Sequence, residues 1–347
     1  METEAAIETQ VPTLDPSRAL GRTVARVGQV RELSLVVVLA VVVVFVGIQQ
    51  PRFLALSNIE QIMQSIAIIA IVAVGETLVI LTRNVDLSVG SVVGLSAFAC
   101  GDLLKEHHDL NLWLVFLFAC LLGAALGTLN GLLVGFAHIP AIVVTLGTLN
   151  IYRGIDFAIA QGKQVNAYDV PDSFLKIAPG HIFGIPFLII AAVVIAVIAG
   201  YFLRFSRQGR QVYAIGSNPD AAQIVGIRKD RIVCSVFLLS GLLSGFAGVL
   251  WASRFALVDS HAASGLELLV IAAVVVGGVN INGGIGSVLG AMLGAIILGT
   301  IQSGLEILRF SPFWLQAIYG AAILVAVTLD AAITRRVQRL LVARRLR

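Results

Sequence analysis

The chain has 347 residues, of which 58% are hydrophobic and only 13% charged, and its formal net charge is +4. A composition this apolar excludes an ordinary soluble domain and predicts a protein embedded in a membrane. The positive charges are grouped at a few places along the chain and do not form a nucleic-acid-binding pattern, so we expect no nucleic acid partner.

Apolar segments long enough to cross a bilayer follow one another along nearly the whole chain. A helix needs roughly 20 mostly apolar residues to span the ~30 Å hydrocarbon layer, and about ten such segments are present. They cover residues 33–48, 59–81, 89–104, 112–136, 139–160, 185–202, 232–253, 266–279, 285–308 and 313–333. The predicted fold class is all-α, a polytopic transmembrane bundle of about ten helices.

Arginine and lysine collect before the first apolar segment, in the loop 203–230 and after the last segment. An even number of spans places these three regions on one side, which the positive-inside rule assigns to the cytoplasm. Both termini are therefore expected to be cytoplasmic. The predicted organisation is a polar extension (1–32), a membrane domain (33–333) and a basic tail (334–347) that can touch anionic membrane lipid.

Two segments, residues 84–94 and 280–290, repeat each other with five of eleven positions identical. Asp86 or Ser88 in the first copy and Asn282 in the second are expected at or near a helix N-cap. Two interpretations remain open: broken helices that face a polar pathway, as in many transporters, or tight turns that only pack helices. The glycines expected to let these helices pack closely are Gly90, Gly94, Gly286 and Gly290.

The loop 203–230 carries a further pattern. The Asn-Pro pair at 218–219 suits the N-cap and first position of a short helix, and Gly226 suits its end. Such a helix would expose Ala221, Ala222 and nearby apolar residues, which predicts a protein partner. The alternative is a surface helix that folds back onto the membrane face.

The sequence contains no recognisable catalytic constellation. Its five histidines lack metal-ligand spacing, and its three cysteines lie in apolar segments without a pairing pattern. Its four lysines include none in a G-x-x-x-x-G-K-[ST] motif. We therefore expect no enzyme activity, no metal site and no ATP-binding site, and an ATP-driven process would need a separate ATPase subunit.

Residues 214–227, with the pattern A-x-G-x-N-x-x-A-A-x-x-x-G-I, resemble the ATPase-docking loop of ribose-type sugar ABC importer permeases. Residues 82–91, 138–154 and 277–290 resemble the membrane signatures of the same family. The resemblance covers residues 33–333 and leans towards the rhamnose and autoinducer-2 permeases. The docking residues that it implies are Gly209, Ala214, Gly216, Asn218, Ala221, Ala222 and Gly226.

This resemblance implies a multi-pass permease subunit in a bacterial inner membrane. It would import a monosaccharide or sugar-like molecule of the ribose, rhamnose, xylose or autoinducer-2 class. The implied partners are cytoplasmic ABC ATPase subunits, a second permease subunit (an identical copy or a paralogue) and a periplasmic or lipid-anchored sugar-binding protein. ATP and Mg²⁺ would be bound by the ATPase, and no cofactor by this chain.

Polar side chains inside apolar segments are costly and suggest function. An uncharged sugar prefers hydroxyl and amide partners. Asn130, Thr145, Thr148 and Asn150 are therefore the expected substrate contacts. The predicted substrate pathway also includes Asn84, Asp86 and Asn282 of the repeated segments. A competing hypothesis is a stand-alone carrier driven by an ion gradient, for which Glu76 is the central acidic candidate. Glu76, Arg153 and Glu306 can instead pair within the bundle or lie near an interface.

Overall fold

The computed structural model describes residues 35–311, 313–325 and 328. The predicted extension 1–32 and basic tail 334–347 lie outside the described residues. The helices are α1 (Leu35–Gln49), α2 (Leu56–Leu81), α3 (Val89–Glu106), α4 (Leu112–Gly135), α5 (Ala141–Ala160), α6 (Asp172–Leu175), α7 (Phe187–Phe205), α8 (Arg207–Ser217), α9 (Pro219–Ile224), α10 (Lys229–Phe255), α11 (Leu266–Val276), α12 (Val288–Ile307) and α13 (Phe313–Val325).

The all-α prediction is confirmed for the described part of the chain. Six helices, α2, α4, α5, α7, α10 and α12, are long and apolar enough to cross a membrane, while α1, α11 and α13 are apolar but shorter. The remaining segment forms α3, whose last turns carry Asp102, Lys105 and Glu106. Each of the ten apolar segments predicted from the sequence thus contains one helix.

Helix α2 is the centre of the bundle. In its apolar 18-residue stretch 94% of the residues are buried, whereas in that of α7 only 17% are. Helix α2 packs against α7, α10, α11 and α12, and α10 packs along α4. Glycines permit this last approach, because a Cβ atom added at Gly123 would lie 2.2 Å from the carbonyl oxygen of Gly241.

The segment between α5 and α7 folds into short elements. These are a 3₁₀ turn (Ala167–Asp169), helix α6 and a hairpin of β1 (His181–Ile182) and β2 (Ile185–Pro186). Lys105 at the end of α3 binds Asp169 over 3.1 Å. The backbone N–H of Asn166 and this lysine lower the pKa of Asp169, so the carboxylate stays ionised and holds the segment to α3.

The two repeated segments start their helices differently, so the capping prediction is confirmed for the first copy and wrong for the second. Ser88 occupies the N-cap position of α3, and Asp86 Oδ1 accepts its N–H over 2.9 Å. In the second copy Asn282 is not the cap: α12 begins at Val288, and the Ser287 hydroxyl accepts the N–H of Gly290 over 3.0 Å. Three glycines of the preceding turn, Gly283, Gly284 and Gly286, have positive φ angles of +75° to +150°. These angles are not helical, so α12 begins only after them.

Candidate functional site: the docking helices and their junction with the repeated turns

The predicted docking loop forms two successive helices, α8 and α9. As predicted, Asn218 caps α9 by accepting the N–H of Ala221 over 3.0 Å, and Gly226 follows the helix with φ +82°. Helix α8 was not predicted. Its first turn is capped by the Ser206 hydroxyl, which accepts the N–H of Gly209 over 2.8 Å.

The docking helices divide into an exposed tip on α9, formed by Ala221, Ile224 and Val225, and a buried base on α8, which includes Gly209 and Gly216. Ala221 is exposed, but Ala222 is only 4% exposed, so the prediction that both alanines face the cytoplasm is wrong for Ala222. It is buried because it lies on the face of α9 that packs against the base. The side chains of Ile224 and Val225 are 86% and 74% exposed. Helix α9 therefore offers an apolar tip without a partner in the described residues.

The base of these helices meets two turns, 82–88 between α2 and α3 and 277–287 between α11 and α12. Each contains the start of one repeated segment, and we call them the repeated turns. We call this place the three-way junction and define it as residues 81–83, 216–217 and 283–286. A Cβ atom added at Gly216 would lie 1.9 Å from the carbonyl oxygen of Leu81 and 2.3 Å from the amide nitrogen of Gly284. Only glycine fits here, because all three backbones touch at this point.

Polar contacts hold the junction together. Arg83 donates from Nε to the carbonyl oxygen of Gly216 over 2.6 Å and from Nη2 to that of Ser217 over 2.9 Å. The Tyr213 hydroxyl on α8 donates to the carbonyl oxygen of Gly286 over 2.9 Å. Burial raises the pKa of Tyr213, so its hydroxyl remains a donor at neutral pH. Arg83 and Tyr213 were not among the predicted functional residues.

The first repeated segment continues into a buried polar network. The carboxylate of Glu76 accepts the backbone N–H of Asp86 over 3.0 Å, and Asp86 Oδ1 accepts both the N–H and the hydroxyl of Ser88. The Asn130 amide on α4 donates to the Ser88 hydroxyl over 2.8 Å. The Tyr152 hydroxyl on α5 lies 3.2 Å from Asn130 Oδ1. This network ties the turn to α2, α4 and α5.

The predicted pathway residues occupy different environments. Asp86, Asn130, Thr145 and Thr148 are buried, and Thr145 donates to the carbonyl oxygens of Val85 and Ala141. Asn84 is half-buried and Asn282 exposed, both in the repeated turns. Asn150 is exposed on an open face of α5, where nothing lies within 4 Å of Cβ atoms added at Gly147 and Gly154.

The glycines of the first copy pack against the residues that precede and begin α11, and those of the second copy pack against the residues that follow it. Cβ atoms added at Gly90 and Gly94 would lie 2.1 Å from Glu267 Oε2 and 2.5 Å from the carbonyl oxygen of Ala262. In the second copy, one added at Gly290 would lie 2.2 Å from the carbonyl oxygen of Gly277. Gly286 has φ +150° and touches Val279. These close approaches agree with a packing role.

Arg153 joins α5 to the loop before α11, away from the three-way junction. Its Nη1 donates to the carbonyl oxygens of Ser260 and Ala262 over 3.1 and 2.8 Å and lies 3.7 Å from Asp156 Oδ2. This agrees with the expectation that Arg153 pairs within the bundle. The loop before α11 is thereby held on α5.

A family model described as the permease component of the branched-chain amino acid transport system matches residues 58–327. The chain belongs to this family. An autoinducer 2 import system permease protein LsrC from Enterobacter sp. (strain 638) is 37% identical over 310 residues, 89% of either chain. Proteins of the same name from Escherichia coli O9:H4 (strain HS) and Photorhabdus luminescens are 34% and 33% identical, covering 88% and 89% of this chain and 89% and 92% of theirs. No solved structure matches.

Family membership confirms the resemblance stated from the sequence. The protein is an ABC importer permease of the bacterial inner membrane that crosses it several times. The competing hypothesis of a stand-alone ion-driven carrier is not supported, because the relatives are permease proteins of import systems.

Proposed function

We propose that this chain forms the membrane pathway of an ABC importer for autoinducer 2 or a related sugar-like molecule. The observation that carries this proposal is the similarity to permease proteins of autoinducer 2 import systems over about nine tenths of the chain. A separate ATPase binds and hydrolyses ATP with Mg²⁺, because the sequence has no phosphate-binding loop.

The ATPase docks on the tip of α9. Ala221, Ile224 and Val225 present an apolar surface there, and such a surface beside a polar loop marks a site of protein contact. The base of the same helices touches both repeated turns through the three-way junction, so the dock has a direct connection to the membrane helices.

The chain crosses the membrane ten times with both termini in the cytoplasm. Six helices meet the length of a full span, and the shorter apolar helices α1, α11 and α13 together with α3 supply the remaining four. Arginine-rich segments before α1, around α8 and after α13 support this orientation.

The substrate passes along the open face of α5, where a second permease subunit completes the pathway. Asn150 is exposed on this face, with its Nδ2 donating to the carbonyl oxygen of Leu146 over 2.8 Å and its amide oxygen as the group for substrate, and Gly147 and Gly154 leave room beside it. Amide groups suit an uncharged, hydroxyl-rich substrate. Asn130, Thr145, Thr148 and Asp86 support this face from within the bundle, because their polar groups bond inside the chain. A binding protein delivers the substrate from outside.

Uptake by intact bacteria tests which substrate the transporter carries. The chain is expressed with its ATPase and binding-protein partners in a strain without autoinducer 2 uptake, and uptake of labelled autoinducer 2 is measured. Unlabelled rhamnose, ribose and leucine are added as competitors. We expect uptake that leucine does not reduce. Uptake of labelled leucine without uptake of autoinducer 2 would overturn the substrate assignment in favour of an amino acid.

A further inference from the structure

We propose that Arg83 is a positioning residue that couples the ATPase-docking helices to both repeated turns. Movement of α8 and α9 during the ATPase cycle would then displace the ends of α2 and α3 together with the turn that leads into α12. This role rests on the proposed function, because it requires an ATPase seated on α9.

The side chain of Arg83 binds the C-terminal end of α8. Its two N–H groups bind successive carbonyl oxygens, those of Gly216 and Ser217, over 2.6 and 2.9 Å. The last carbonyls of a helix carry partial negative charge, which a cation stabilises. A guanidinium group presents several donors in a rigid fork, whereas a lysine ammonium cannot reproduce this geometry. The contact therefore fixes both the position and the direction of the helix end.

The same residue touches the second repeated turn. A Cβ atom added at Gly283 would lie 2.6 Å from Arg83 Cγ and 2.9 Å from its amide nitrogen. The amide of Gly284 donates to the carbonyl oxygen of Leu81 over 3.0 Å. One turn earlier on α8, the Tyr213 hydroxyl donates to the carbonyl oxygen of Gly286. Helix α8 is thus attached to both turns, with Arg83 at the point where they meet.

The backbone of Arg83 indicates that these contacts determine its conformation. Its φ angle is +67°, in the left-handed region that costs an ordinary residue free energy. The residues that follow enter the buried network through Asp86 and Ser88, which reaches Asn130 on α4 and Tyr152 on α5. Displacement of Arg83 would therefore be carried to the helix whose open face lines the proposed pathway.

The test compares Arg83→Ala, Arg83→Lys and Tyr213→Phe in the complex of permease, ATPase and binding protein, reconstituted in vesicles. Autoinducer 2 uptake and ATP hydrolysis are measured together, and the amount of ATPase that co-purifies is determined. Arg52→Ala is the control, because it removes an exposed arginine beyond the other end of α2. Tyr213→Phe removes only the hydroxyl that bonds Gly286, so this variant is expected to fold. It therefore still tests the junction if Arg83→Ala lowers the yield of folded protein.

We expect Arg83→Ala to retain the ATPase and its hydrolysis while transport per ATP falls by about fivefold or more, the low end of a typical coupling free energy. Arg83→Lys should restore part of the coupling, Tyr213→Phe should show a smaller loss, and Arg52→Ala none. Normal transport per ATP in Arg83→Ala would overturn the proposal. So would loss of the ATPase from the complex, since Arg83 would then be part of the dock. Absence of ATP-driven uptake in the wild-type complex would instead refute the proposed function.

Discussion

The amide of Gly284 donates a hydrogen bond to the carbonyl oxygen of Leu81 over 3.0 Å, so the second repeated turn is joined directly to the end of α2, from which the first repeated turn starts. The second copy begins six apolar segments after the first in the sequence, yet the two turns share one junction with α8. A displacement of one turn is therefore expected to move the other turn and the docking helices. This relationship underlies the first prediction.

Gly216→Ala should destabilise the junction. The new methyl group would lie 1.9 Å from the carbonyl oxygen of Leu81, so the backbones must separate, at a cost of about 1–3 kcal/mol. We expect a lower melting temperature of the purified subunit and loss of uptake. The matched control is Gly200→Ala on α7, where nothing lies within 4 Å of the added atom. Equal melting temperatures for the two variants would contradict the close approach.

The tip of α9 should carry the contact with the ATPase. Ile224→Asp places a charge on an apolar side chain that is 86% exposed, so folding should survive while the ATPase no longer co-purifies. Ala221→Arg should act in the same way. Ala222→Arg should instead misfold the segment, because this position is buried. The control is Phe183→Asp, on the fully exposed tip of the β1–β2 hairpin. Retention of the ATPase by both tip variants would rule out this surface as the dock.

Asn130→Ala should lower stability rather than substrate affinity. It removes the amide that binds the Ser88 hydroxyl inside the bundle, and a broken buried hydrogen bond costs about 1–3 kcal/mol. Thr128→Ala is the control on the same helix, because the Thr128 hydroxyl donates to the carbonyl oxygen of Ala124 within α4 itself. Melting temperature and uptake affinity are measured for both. Unchanged stability with a weaker substrate affinity would show that Asn130 lines the pathway.

Asn150 should be reachable from water within the assembled transporter. In a variant whose three cysteines are replaced, Asn150→Cys should react with a charged thiol reagent, and substrate should slow this reaction. Thr148→Cys should stay unreactive, because Thr148 is 4% exposed. A charged reagent does not label a lipid-facing thiol. Absence of labelling at both positions would place the α5 face against lipid or the second subunit.

The sequence predicted features that depend on neighbouring residues. The Asn-Pro pair that begins α9 and Gly226 after its end were identified correctly because capping is decided within a few positions. The apolar helices followed from segment length and composition. Ala222 was assigned to the wrong side because its burial depends on packing against other elements. The N-cap of α12 was misplaced because three positive-φ glycines extend the preceding turn.

The junction itself could not be predicted. Arg83 and Gly216 are 133 positions apart, and neither residue type indicates such a partner by itself. One feature of the sequence did point to the junction. Gly216 and the four glycines of 280–290 are more than helix caps or a flexible linker would need, which indicates close packing of backbones. The roles of Asn84, Asn150 and Asn282 in substrate passage stay predictions, since they depend on a second subunit and a substrate.

Reconstitution in sealed vesicles tests most directly whether this chain is a subunit driven by a separate ATPase. The purified permease is incorporated alone or together with the ATPase, with the binding protein outside and ATP on the side of α9. We predict autoinducer 2 uptake only when permease, ATPase, binding protein and ATP are all present, and none from an H⁺ or Na⁺ gradient. Gradient-driven uptake by the permease alone would contradict this account.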